Sequence, residues 1–121
     1  MRPNFITEPQ WQTLLERGAE RSSSRGVDLW PVIRLDNPDG IHRWLIASVD
    51  PADHDRAFGL IDLGTGMPEM GEMSIAELNN FRGKYGSQVE ADPRFRPHRS
   101  LAEYTAWARL LGWIFTESPN R

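Results

Sequence analysis

Apolar residues recur every three or four positions in three stretches of the chain, and each stretch opens on a helix-capping pattern. In Thr7-Glu8-Pro9-Gln10 the threonine hydroxyl can accept from an orphan backbone N–H, and the amide three residues on can reach back. Ile6 and Trp11 flank this box as a hydrophobic staple. Trp11, Leu14 and Leu15 then share one helical face, and Gly18 is the expected stop. Ser74-Ile75-Ala76-Glu77 repeats the pattern, with Met73 and Leu78 as staple, Ile75, Leu78 and Phe81 as buried stripe, and Gly83 as stop. Ser100-Leu101-Ala102-Glu103 opens a third helix, whose stripe is Leu101, Tyr104, Ala108 and Leu111 and whose stop is Gly112.

Between the first two helices the period shortens. Trp30 to Leu35 reads as a strand, and Asn37-Pro38-Asp39-Gly40 as a tight turn with proline at its second position. Ile41 to Val49 follows as a second strand, rich in β-branched and aromatic residues. The polar connector Asp50 to Asp55 leads to a third, Ala57 to Leu63, and Val89 to Ala91 supplies a short fourth. Short links make an antiparallel meander. The expected fold is therefore α+β, with three to four strands and three helices packed on one face. Its predicted core is Trp11, Leu14, Leu15, Val32, Leu35, Trp44, Ile46, Leu60, Leu78, Phe81, Tyr104 and Leu111.

Composition narrows the class without naming a chemistry. The 121 residues fit one domain, expected to be ordered over about residues 5–115 with a tail at 116–121. The longest purely apolar run, Trp44 to Ala47, is far shorter than the roughly 20 residues of a membrane span. The N-terminus carries no apolar signal core, so a cytoplasmic protein is expected. With no cysteine, disulfides, thiolate metal sites and cysteine nucleophiles are excluded together. The net charge of −3 is unevenly spread. Asp50 to Glu72 holds six acids against the single base Arg56, whereas Arg82 to Arg109 holds six bases against three acids.

Each candidate for chemistry has a plainer structural explanation beside it. Gly64 and Gly66 follow a strand, as in a nucleotide-binding fingerprint, but the third glycine falls at 71 and the meander is no βαβ unit. Asp50, Asp53, His54 and Asp55 offer oxygen and nitrogen donors, yet lack calcium-loop spacing and look like turn residues. Acid–base work would need a pair such as Asp62 with Glu69, or His42 or His98 beside a carboxylate. Ser74 is better explained as a cap than as a nucleophile. Arg94, Arg96 and Arg99, with Phe95 between them, could pair phosphates and stack a base, or could be solvated arginines around a core phenylalanine. Among the five tryptophans, Trp113 follows the third helix and is the one expected at an interface.

Three segments carry a resemblance: AFGLIDLGTGMPEMGEMSIAELNNFRG, VEADPRFRP and LAEYTAWARLLGWI. Together they resemble a family of small bacterial proteins known only as a domain of unknown function. The shared positions are Ala57 to Leu60, Asp62 to Gly64, Gly66 to Gly71, Ser74 to Leu78, Asp92 to Phe95 and Leu101 onward, with Ile75 where leucine is usual. The resemblance implies a setting among plasmids, phages and integrative elements, and it supplies no catalytic residue.

The expected function is thus a non-catalytic, protein-binding module needing no cofactor. Its expected partner is a host protein or nucleoprotein complex, as for an inhibitor of a nucleic-acid-targeting defence system of the anti-CRISPR or anti-restriction kind. The expected surface is Asp53, Asp55, Glu69 and Glu72 flanked by Met67 and Met70, the carboxylates standing in for phosphates. Its two halves should lie at opposite ends of the third strand, roughly 23 Å apart, unless the loop folds back along the sheet edge. The alternatives are a small enzyme or nucleotide-binding protein using Gly64 to Gly71, and a nucleic-acid-binding factor using Arg94, Phe95, Arg96 and Arg99.

Overall fold

The computed structural model describes residues 2–24 and 26–117. The last part of the expected tail, 118–121, lies outside the described residues. The elements run α1 (Glu8–Ser23), β1 (Ile33–Asp36), β2 (Arg43–Asp50), β3 (Asp53–Asp62), β4 (Glu69–Ser74), α2 (Ile75–Asn80), β5 (Glu90–Ala91) and α3 (Leu101–Leu111). The strands form one antiparallel sheet in the order β4-β3-β2-β1-β5, so the fold is α+β with five strands rather than three or four.

The additional strand is β4. Its sequence, Glu-Met-Gly-Glu-Met-Ser, has no β-branched or aromatic residue and reads as loop on propensity alone. It becomes a strand because β3 offers a long edge, pairing it from Arg56↔Ser74 to Ile61↔Glu69. β3 itself starts at Asp53, four residues before the expected start. Asp50 Oδ1 accepts from Ala52 N (2.8 Å), closing a turn so tight that Asp50 already pairs Asp53.

All three helix caps form where expected. Gln10 N donates to Thr7 Oγ1 (3.3 Å) while Thr7 N donates to Gln10 Oε1 (2.9 Å). Ser100 and Glu103 exchange the same pair of bonds at α3 (3.2 and 3.0 Å). At α2 only half the box forms, with Glu77 N donating to Ser74 Oγ (3.1 Å). The carboxylate of Asp55 supplies the rest. It accepts from Ala76 N and from the Ser74 hydroxyl, both at 2.8 Å.

The helices cover both faces of the sheet, not one. Trp44 and Ile46 of β2 pack with Trp11 and Leu14 of α1 and Ile75 and Leu78 of α2. The intervening Leu45 and Ala47 pack with Leu60, Leu101, Tyr104 and Ala108, placing α3 opposite. Trp44 to Ala47 is therefore continuous in sequence because it is buried on both sides. Among the described residues no helix is long and apolar enough to cross a membrane.

Two expected roles change. Gly18 does not stop α1, which continues to Ser23 through part of the serine run; it lets the helix touch the sheet, since a Cβ there would stand 1.9 Å from the Val49 carbonyl oxygen. Leu111 is not core but 44% exposed. Gly112, at φ 88°, turns the chain at that point, and Ile114 returns to the buried position instead. Leu15, Val32 and Phe81 pack against the core while remaining partly exposed.

Alanine raises helix propensity over glycine by about 1 kcal/mol in an open helix. In α1 the backbone contact reverses the sign. Gly18→Ala is expected to destabilise the fold by about 1–3 kcal/mol, measured by urea unfolding, because α1 and β2 must separate to admit the methyl group.

Candidate functional site

Antiparallel pairing folds the second half of the expected surface back beside the first. Phe58↔Glu72 and Arg56↔Ser74 bring Glu72 next to the start of β3. Asp53, Asp55, Glu72 and Glu77 then line one shallow groove of about 270 Å³ with Arg56 and Ser74. Arg56 stands 3.8–4.0 Å from Asp50, Asp53 and Glu72. These pairs are half-exposed and stabilise by about 1 kcal/mol or less each. Asp55 is structurally engaged as the second cap of α2. The Ala76 N–H and then the Ser74 hydroxyl hold its carboxyl below the ordinary 3.8.

The rest of the expected set spreads along β4. Met70 faces the α3 side with its partner Leu60, at the rim of a groove of about 690 Å³ that Phe58, Val27 and Leu29 also line. Glu69 pairs Ile61 on the α1 side. Met67 lies before the strand, 70% exposed. The six residues form a strip along the sheet edge, with carboxylates concentrated at one end and a methionine at the other.

Met67 belongs to a second surface, centred on a buried carboxylate. Asp62 Oδ1 accepts from Gly64 N and Oδ2 from Ile114 N, both at 2.9 Å, tying the glycine loop to the segment after α3. Gly64 and Gly66 have φ of 77° and 85°, and a Cβ on Gly64 would collide with Ile41. Backbone conformation and close approach therefore explain these glycines. Near this junction lie six exposed apolar residues: Ile41, which Gly64 approaches, Leu63, Met67, and Leu110, Leu111 and Trp113 on either side of Gly112, which approaches Gly66. Met67 and Trp113 were foreseen as surface residues; the others come near only because the loop, the turn before β2 and the end of α3 meet here. Asp62 and Glu69 are not brought together as an acid–base pair. Asp62 is 3% exposed with both oxygens occupied, and Glu69 pairs the residue beside it, on the other face.

The Arg94–Arg99 stretch does not form a stacking platform. Phe95 is buried among Leu29, Leu45 and Tyr104, so its ring has no face for a base. Arg96 donates to the carbonyls of Pro93 (3.2 Å) and Phe95 (2.8 Å), bracing its own loop. The Arg99 guanidinium lies 3.5 Å over the Trp107 ring. Arg94 alone is exposed without such a contact and rims a cleft with Arg34, Asp92 and Glu117.

Two charged residues that sequence reasoning passed over fasten the C-terminal segment. Arg34 donates to Asp36 (3.2 Å) and Thr116 Oγ1 (2.6 Å); Arg43 donates to Asp36 (2.9 Å) and the Ile114 carbonyl (2.8 Å). The signal was the alternation Ile33-Arg34-Leu35-Asp36, which sets charges on the α3 face. Asp39 was read only as a turn residue, yet its carboxylate accepts from Tyr85 N (2.8 Å) and Ser87 N (3.1 Å), holding the loop after α2. Burial opposes its ionisation, but the Ser87 hydroxyl, the backbone N–H groups of Ser87 and Tyr85 and the Asn37 amide together outweigh it and keep its carboxyl below 3.8. Among the described residues no three His, Asp or Glu side chains converge on a metal position.

A family described as "Protein of unknown function (DUF2958)" matches residues 5–115. No curated protein and no solved structure matches the chain.

Two substitutions probe the anchoring acids. Asp55 has its pKa lowered by folding, so its contribution to stability is whole above 3.8 and is lost as pH falls through the lowered value. Asp55→Ala should flatten the acid limb of the stability–pH curve while lowering stability at neutral pH. Asp62→Ala strands the buried Ile114 N–H, a loss of about 1–3 kcal/mol in urea unfolding. Amide exchange should then accelerate at residues 113–116 before it does elsewhere.

Proposed function

The chain belongs to the DUF2958 family, and we propose that it acts as a non-catalytic protein-binding module. The observation that carries this reading is the apolar corner. Met67 and Leu110, 70% and 82% exposed, lie with Ile41, Leu63, Leu111 and Trp113 near a junction that the Asp62 carboxylate ties together. Large exposed apolar groups gathered at one place cost solubility and mark sites of protein contact. Methionine and tryptophan are favoured there, the first because it adapts and the second because it brings large area on few rotors.

The acidic edge supports a partner with a basic surface. Glu72, Asp53 and Glu77 face solvent near the single base Arg56, and carboxylates in such an array can occupy an arginine-lined channel that otherwise receives phosphates. On that ground the partner we propose is a host nucleic-acid-targeting protein or nucleoprotein, with inhibition of a defence system as the consequence of binding. Arg34 and Arg43 point to structure rather than to nucleic acid, since both are engaged by Asp36 and the C-terminal segment.

The test is affinity capture from the source cell, with mass spectrometry of what is retained. Met67→Glu combined with Leu110→Glu should abolish retention of the partner while leaving stability within about 0.5 kcal/mol, as for exposed sites generally. Arg94→Glu combined with Arg96→Glu should leave it intact. Loss with the arginine pair alone would place the working face elsewhere and end this proposal.

A further inference from the structure

We propose that β4 is a strand-addition site, whose free edge accepts an extended basic segment of a partner protein as a sixth strand of the sheet. This rests on the protein-binding reading above and specifies its chemistry at a different place, the sheet edge rather than the apolar corner.

The first ground is the edge itself. β4 ends the strand order, and its six residues pair β3 on one side through an unbroken register. On the other side no strand pairs it among the described residues. The outward N–H and C=O groups of alternate residues are thus available. Natural edges are commonly blunted by proline, lysine, a bulge or a covering element. β4 contains neither proline nor lysine, and its pairing shows no register shift.

The second ground is charge, which selects the occupant. Glu69 and Glu72 lie on the strand, and Asp53 and Glu77 border its far end, with Arg56 beside them and Arg21 held over the Phe58 ring next to Glu72. A second copy of β4 would set these acids against themselves. That repulsion guards against self-association, while a segment carrying lysine or arginine is attracted.

The third ground is the groove beside Met70. With Phe58, Val27 and Leu29 it forms an open channel of about 690 Å³ on the α3 side of the sheet, bordered also by Arg21, Ser24 and Asp28. Side chains of an added strand alternate between the two faces. Those turned to the α3 side next to Met70 enter this channel, and their neighbours project from the opposite side. In strand addition, backbone bonds provide affinity and such alternate pockets provide selectivity. Glu72 shares the α3 side with Met70, whereas Glu69 faces the opposite side, so the fitting ligand sets β-branched residues on the α3 side and basic residues on the side of Glu69, over about seven positions.

The test uses the full chain and three synthetic peptides: Lys-Val-Lys-Val-Lys-Val-Lys, its Glu-for-Lys counterpart, and the lysine peptide N-methylated at alternate residues. Binding is followed by fluorescence anisotropy and by amide exchange of residues 69–74. We expect the lysine peptide to bind and to slow exchange at alternate β4 amides. N-methylation should weaken binding about tenfold or more, because the added strand can no longer donate along the edge. Glu69→Lys with Glu72→Lys should weaken it similarly, with circular dichroism unchanged. The idea is overturned if the lysine peptide does not bind, if the N-methylated peptide binds equally, if the glutamate peptide binds as well, or if β4 amides exchange unchanged in the bound state. Met67→Glu with Leu110→Glu leaves β4 untouched and should retain peptide binding, so failure at the edge and failure at the apolar corner are read separately.

Discussion

Six consecutive residues of β2, Trp44 to Val49, are buried, and a strand without a solvent side requires cover on both faces of its sheet. That requirement arranges the rest of the molecule. α1 and α2 take the face of Trp44 and Ile46, and α3 takes the face of Leu45 and Ala47. Close cover on the first face is possible because Gly18 lets the α1 backbone reach the Val49 carbonyl. On the second face Gly112 turns the chain so that Ile114 can close the layer.

Burying the second face brings charged residues under the C-terminal segment, where each finds partners. Asp36 draws in both Arg34 and Arg43, and these in turn hold Thr116 and Ile114. Asp62 completes the fastening by accepting from Ile114 N and Gly64 N. A half-satisfied version of this network would cost more than an apolar one, because each unpaired buried group carries its desolvation penalty. The same bonds hold the glycine loop and the end of α3 against each other. The apolar corner is thus a by-product of how the second face is closed.

At the opposite extreme of order, β4 contributes little to the core beyond Met73, and its outer edge pairs nothing among the described residues. Asp55 ties the strand's end to α2, so the edge is positioned although no strand pairs it among the described residues. A well-placed edge that lacks proline, lysine and a bulge, bordered by carboxylates, combines availability with protection against its own copies. The edge and the apolar corner are thus two separate features that support the proposed protein contact.

The local signals were sufficient for everything governed by neighbours in sequence. Thr7, Ser74 and Ser100 start the helices because a cap needs only its own next three residues, and Gly112 ends α3 because only a positive φ closes it there. The α+β class followed from the change of period. What the sequence could not decide was anything set by a distant surface. β4 has no strand propensity and exists because β3 offers an edge; Gly18 looks like a stop and is a contact; Phe95 looks like a stacking ring and is core. Asp55 was legible as an acidic connector residue, but its role depends on Ser74 and Ala76 arriving from the next strand and helix. The apolar corner was the least legible of all, with only Met67 and Trp113 suspected, since its members lie as far apart as Ile41 and Trp113. Periodicity and capping report on one element at a time, whereas exposure and adjacency belong to the packed whole, and only the tertiary structure assigns them.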